Sequence, residues 1–204
     1  MGAATIRDWR PKGGSPMPSA PPSLVRSVSM TADPAYWQAL GKFIETFAGI
    51  EILLFNYLAA LSGMRNDIAR IFYGEDQAHS LITLIRQVMA LRSPGMELKG
   101  KTELALDQLQ KISVIRNRLV HYVSFVTSDK GRIISNIARV KNGKAIIEYR
   151  ASTSALGEMT ADLETISHLL VYCLLGLTRR TAAERAEMAA DLPRINNQWQ
   201  YTQP

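Results

Sequence analysis

Cysteine is nearly absent from this chain of 204 residues, and that scarcity is the first bound on its chemistry. A lone thiol, Cys173, excludes an intramolecular disulfide framework and suits a reducing cytosol. It lies in the run Leu169-Leu170-Val171-Tyr172-Cys173-Leu174-Leu175, where it reads as a buried small hydrophobe. No Cys/His/Asp cluster has ligand spacing and there is no glycine-rich phosphate loop, so neither a metal nor another cofactor is expected. The N-terminus carries basic residues with no apolar segment behind them, which argues against a secretory signal. Long apolar runs are also scarce. Residues 44–61 are broken by Glu45, Glu51 and Asn56, and the apolar run ending at Leu177 begins only after Ser167 and His168. Neither is expected to span a membrane, and a cytoplasmic protein without membrane contact is the expectation.

What is present is enough for one packed domain. Apolar residues make up 47% of the chain, so a core can form without covalent staples. Residues 1–30 hold Gly13-Gly14 and Pro11, Pro16, Pro18, Pro21 and Pro22, a composition that reads as a disordered tail. Met30 offers a second translation start, so no function is placed in that tail. Residues 31–192 read as a helical domain, and residues 193–204 as a polar C-terminal tail.

Helical periodicity begins at Asp33-Pro34, an N-cap followed by proline at the first helical position. Apolar residues then recur at helical spacing from Trp37 to Leu61, and Ser62-Gly63 ends the helix. A short helix is expected over residues 67–72. A third, capped by Asp76, should run to Ser93-Pro94-Gly95, and a fourth should span roughly residues 102–125. The period then changes. Residues 132–140 and 144–150 are rich in isoleucine and valine and flank Asn142-Gly143, a strong hairpin signal. A last helix should start near Ser154 or Thr160, reach Leu177, and continue or restart over residues 181–190. The expected fold is all-α: an antiparallel bundle of four to five helices, with one β-hairpin (about residues 131–151) inserted before the last long helix.

Charge is distributed unevenly. Residues 99–150 hold eleven basic and four acidic side chains, a local excess larger than the +6 of the whole chain. Such a surface suits a polyanionic partner, although a basic face can also serve only solubility. Aromatic residues interleaved with these basic ones are sparse, so sequence-specific readout of a single strand is not indicated.

Inside the basic stretch lies Arg116-Asn117-Arg118-Leu119-Val120-His121, on the expected fourth helix beside the apolar stripe of Ile112, Ile115 and Leu119. On a helix Asn117 and His121 fall within about 40° of each other, and Arg116 lies about 140° from His121. A guanidinium can hold a phosphate and an imidazole can move protons near neutral pH, which is what metal-free phosphodiester chemistry needs. Spacing alone is weak evidence, because among sixteen arginines and three histidines such a pair arises by chance roughly one time in four. His79 and His168 have no arginine context of this kind and are weaker candidates.

The segment resembles the signature of the HEPN superfamily (higher eukaryotes and prokaryotes nucleotide-binding): an arginine, four to six residues, then a histidine, often with a polar residue straight after the arginine. Here these are Arg116, Asn117 and His121. The likeness extends over roughly residues 34–180 in layout, with a long first helix holding Ile50-Glu51, short linking helices, the motif on a penultimate helix and a closing helix. The Asn-Gly hairpin departs from a minimal bundle of this kind.

The resemblance implies an all-α domain that often pairs as a homodimer, with both Arg-His motifs lining a cleft at the interface. Many such proteins are metal-independent endoribonucleases of toxin–antitoxin, phage-defence or RNA-processing systems; others keep the fold without catalysis. RNA is then the expected partner, beside a second copy of the chain and a cognate antitoxin protein. His121 would act as general acid or base and Arg116 would hold the phosphate. Asn117 would orient the imidazole or bond the phosphate, Glu51 would orient His121 or pair with Arg116, and Arg118 and Lys111 would bind substrate. Two alternatives stand beside this: a non-catalytic dimeric RNA- or nucleotide-binding or adaptor module, and a helical interaction protein whose basic segment only aids solubility.

Overall fold

The computed structural model describes residues 33–126, 132–136, 146–177 and 199–202. Within them lie α1 (Pro34–Ser62), α2 (Asn66–Tyr73), α3 (Ala78–Arg92), α4 (Met96–His121), β1 (Val123–Val126), β2 (Arg132–Ser135), β3 (Glu148–Arg150) and α5 (Thr153–Leu177). The protein is mostly helical, as its periodicity indicates, with a small antiparallel sheet before the final helix. Its N-terminal signal works as expected. The Asp33 carboxylate accepts from the Tyr36 amide at 3.2 Å, Pro34 sits in the first turn, and Gly63 closes α1 in the left-handed region at φ 71°.

Phe43, Phe47, Ile50, Leu54, Tyr57 and Leu58 form the buried face of α1 and pack on Leu156, Met159, Leu163, Ile166 and Leu170 of α5. Ile82, Ile85 and Met89 of α3 and Leu106, Leu109 and Ile112 of α4 complete the core. Directions follow from the polar ties between helices. Glu51 reaches Ala78 and Arg92 reaches the Ser62 carbonyl, so α1 and α3 run parallel. Tyr57 meets Thr102 while Arg116 lies over Phe47, so α4 runs against α1. Gln108 meets Asp162 and Tyr172 meets Glu97, so α5 runs against α4 and parallel to α1. Of the four long helices only α4 runs against the others, because the connection through short α2 carries the chain back to the start of α3. The expectation of an antiparallel bundle is corrected on this point.

Helix α4 begins at Met96 rather than near residue 102 and stops at His121 rather than 125. The residues after it, Val-Ser-Phe-Val, include two β-branched residues and an aromatic one and pair with β2 in the register Ser124↔Ile134 and Val126↔Arg132. The expected hairpin is present as β2 and β3, paired Ile133↔Arg150 through Ser135↔Glu148. With β1 it becomes a three-stranded antiparallel sheet in the order β1-β2-β3, not a lone hairpin. Its Asn142-Gly143 turn and the expected helix over residues 181–190 lie outside the described residues. Asp76 does not cap α3, whose N-cap is Gln77 without a side-chain bond.

Both α1 and α5 are long and apolar enough to cross a membrane by length and composition, against the expectation that each falls short of a span. Their most apolar faces are turned towards each other and build the core. Cys173 is buried, as expected, and burial pushes its thiol up from its ordinary range.

The C-terminal tail, expected to lie outside the domain, is in part built into it. Asp162 on α5 is 2% exposed, and its carboxylate accepts from the Gln200 amide at 2.8 Å, the Tyr201 amide at 3.0 Å and Gln108 Nε2 at 2.8 Å. Gln108 Nε2 also donates to the Tyr201 carbonyl at 2.9 Å, and the Tyr201 hydroxyl lies 2.7 Å from that of Tyr149 on β3. One carboxylate therefore ties α4, α5, the C-terminal segment and, through Tyr201, the sheet.

Two outcomes are expected. Asp162→Ala removes the acceptor of three N–H donors, two of them buried, each buried loss being about 1–3 kcal/mol in isolation, and should lower urea-unfolding stability by about 2–4 kcal/mol at unchanged slope. Tyr57, bonded to Thr102 Oγ1 at 2.7 Å, has its hydroxyl pushed up by burial to about 12 from its ordinary 10.0. The folded state thus favours the neutral phenol. That stability is complete below pH 10 and is lost as the pH rises towards 12. Unfolding curves across that window should show a shallower decline for Tyr57→Phe.

Candidate nucleic-acid site on helix α4

The last two turns of α4 serve two environments at once. Ile112 and Ile115 are buried in the core, whereas Val114, Asn117, Val120 and His121 are exposed. Arg116 sits at the border, half-buried, with its guanidinium carbon 5.4 Å from the centre of the Phe47 ring on α1. Nη1 donates to Asn117 Oδ1 at 3.2 Å. Nε is buried and has no hydrogen-bond partner. A guanidinium has five N–H donors; with Nε sealed and one Nη1 donor on Asn117, those left for a ligand are on the two Nη atoms.

Two arginines in the bundle are paired with carboxylates. Arg65 lies 2.6 Å from Asp67, and Arg86 bridges Glu103 and Asp107 and donates to Gln110, tying α3 to α4. Among the described residues no carboxylate pairs with Arg116. An unmatched, partly desolvated cation held by an aromatic face and a neighbouring amide is a natural receptor for an anion such as a phosphate.

His121 is the final residue of α4 and is exposed, with no side-chain hydrogen bond among the described residues. Asn117, expected to serve the imidazole or a phosphate, instead holds the Arg116 guanidinium. Arg118 lies about 200° from Arg116 around the helix, so the two leave α4 on nearly opposite sides. Arg118 is half-buried towards the sheet, where its charge acts on Tyr149. Burial and the Tyr201 hydroxyl push the Tyr149 hydroxyl up, and Arg118 opposes them. Lys111, seven residues before Arg118, is exposed on the same side. Arg116 and Asn117 are therefore brought together, whereas Arg118 and Lys111 belong to another face.

Glu51 stands apart from the motif. Its Oε1 accepts from the Ala78 amide at 3.3 Å, so it supplies from α1 the cap that α3 lacks, and among the described residues it makes no hydrogen bond to Arg116 or His121. His168 lines a groove of about 280 Å³ between α1 and α5 with Thr46, Gly49, Ile50, Leu53, Glu164 and Ser167, away from Arg116 and His121. Glu164 there is held by Lys42 at 3.0 Å. Among the described residues no group of three or more His, Cys, Asp or Glu is placed to hold a metal ion.

A further cluster was not visible in the sequence. Arg132 on β2 lies over Tyr36 and Trp37 of α1, 4.2 and 5.0 Å from their ring centres, and donates to Ser124 Oγ at 3.3 Å. It joins residues almost a hundred positions apart, so no local pattern announces it. Comparison with protein-family models, curated proteins and solved structures yields no match.

Glu51→Ala should cost about 1 kcal/mol, the usual loss for a helix cap, measured by urea unfolding. An unchanged midpoint would mean that the Ala78 bond contributes nothing.

Proposed function

We propose that this protein is a metal-independent endoribonuclease of the HEPN type, working with Arg116 and His121 at a cleft between two copies, in a toxin or phage-defence setting. The observation that carries the reading is the state of Arg116: a half-buried cation over Phe47 with no carboxylate partner among the described residues, beside Asn117 and five residues before an exposed imidazole. The basic excess of residues 99–150 supports a polyanionic substrate.

In this reading the ribose 2′-OH attacks the adjacent phosphorus. His121 takes the 2′-OH proton, the Arg116 fork stabilises charge growing on the phosphoryl oxygens, and the P–O5′ bond breaks. The departing 5′ oxygen needs a proton, and α4 supplies one histidine. A second His121 from a symmetry mate meets that need. The exposed face of α4 suits such a pairing, since Val114 at 47% and Val120 at 50% exposure flank Asn117 and His121. A partner antitoxin would cover the same face. The second reading, a non-catalytic RNA-binding dimer, rests on the same open guanidinium, because holding a phosphate does not require proton transfer.

Purified protein incubated with labelled RNA in EDTA should cleave it. His121→Ala should lower the rate by roughly 10²–10⁴-fold, the usual worth of a general acid or base, with the dimer and Tm intact because the side chain is exposed. Arg116→Ala should weaken both cleavage and RNA affinity and flatten the salt dependence of binding. Full activity in His121→Ala sinks the catalytic reading. Salt-dependent binding without cleavage by the wild type selects the binding module.

A further inference from the structure

The corner where α1 begins and the sheet ends carries a feature that the motif does not use. Trp37 stands on the first turn of α1 and is 47% exposed, whereas Tyr36 beside it is 3% exposed. Their rings meet edge to face, with centres 5.4 Å apart and planes at 80°. Arg132 lies against both rings, so the Trp37 indole is backed by a guanidinium and about half of the residue faces solvent. A rigid indole backed by a cation and half open to water is the receptor that a nucleobase stacks upon.

Position gives this corner its meaning. Because α4 runs against α1, the start of α1 lies by the end of α4, where His121 stands. Strand β1 leaves α4 almost directly, and Ser124, which accepts from Arg132, is three residues beyond His121. Three extended residues reach about 10 Å, which is less than two nucleotides of an extended strand. In the sheet, Arg132, Ser124, Ile134 and Tyr149 share the face turned to the bundle, and Ile134 is buried there, which fixes the register that aims Arg132 at α1.

We propose that Trp37, backed by Arg132, is a stacking platform for one base of single-stranded RNA, about two nucleotides from the phosphate held at Arg116, since Phe47 under Arg116 lies ten residues, about 15 Å, further along α1. The proposal rests on the ribonuclease reading and deepens it by naming a base-binding subsite. Stacking is tolerant of sequence, so the platform would favour unpaired over duplex RNA without selecting one base. It also adds an aromatic element to a basic stretch whose own aromatics are sparse, delivered from the other end of the sequence.

The test uses the full chain carrying His121→Ala, so that RNA is bound without being cut. Titration with a short oligouridine should quench tryptophan fluorescence. Adding Trp37→Ala should weaken affinity roughly tenfold to a hundredfold and remove the quench. Trp37→Phe should keep most of the affinity but also lose the quench, since the fluorophore at the corner is gone. An affinity unchanged by Trp37→Ala, or a quench undiminished by Trp37→Phe with Trp9 and Trp199 still present, overturns the platform. Duplex RNA bound as tightly as the oligouridine overturns it too. Protein with an intact His121 is assayed alongside: if it neither binds nor cuts RNA, the ribonuclease reading itself falls, whereas cleavage with Trp37→Ala at wild-type affinity removes the platform alone.

Discussion

The buried carboxylate of Asp162 holds together the parts of this fold that hydrophobic packing alone would leave separate. A charge with 2% exposure is costly unless it is fully hydrogen-bonded, and here three N–H donors converge on it. Two of the three are backbone amides of Gln200 and Tyr201. The third, Gln108, comes from α4 and also takes the Tyr201 carbonyl. The interaction therefore has little tolerance: it is satisfied only when α4, α5 and the C-terminal segment are all in place. Through the Tyr201–Tyr149 hydroxyl pair the constraint extends to the sheet, and so to the strand that follows His121.

Against that frame, α4 plays a double part. Its buried side supplies Leu106, Leu109, Ile112 and Ile115 to the core, which fixes how the helix is rotated. The rotation then decides what the motif residues can do. Arg116 comes to the border with α1, where Phe47 covers one side of it and no carboxylate reaches it among the described residues. Arg118, two positions on, is carried to the sheet, where it acts on Tyr149. Charged residues adjacent in sequence thus serve different surfaces, and the basic character of residues 99–150 is not one continuous face.

Much of the helical layout was legible because it rests on local physics. Asp33-Pro34 opens α1 through an N-cap bond and a pre-set backbone angle, and Ser62-Gly63 closes it through a left-handed glycine. Apolar spacing at three and four residues marks which side of each helix is buried. The misreadings occur where long-range partners override local preference. Val123–Val126 leaves the helix because β2 offers it hydrogen bonds. Asp76 does not cap α3 because Glu51, distant in sequence, already accepts from Ala78. The polar residues near the C-terminus read as a tail because nothing nearby shows the carboxylate that binds their amides.

What the chain determined by itself is the number of helices expected before the sheet, their main boundaries, the β2–β3 pairing and the Arg-Asn-(x)₃-His segment on an amphipathic helix. These follow from side-chain periodicity, capping and turn chemistry, all of which act within a few residues. Tertiary structure alone decided that α1, α3 and α5 run parallel, that Phe47 lies under Arg116, that Glu51 is a helix cap, and that Trp37 and Arg132 meet. Each of these depends on groups brought together across the bundle, where packing geometry and the need to satisfy buried polar atoms outweigh any preference written into a short stretch of sequence.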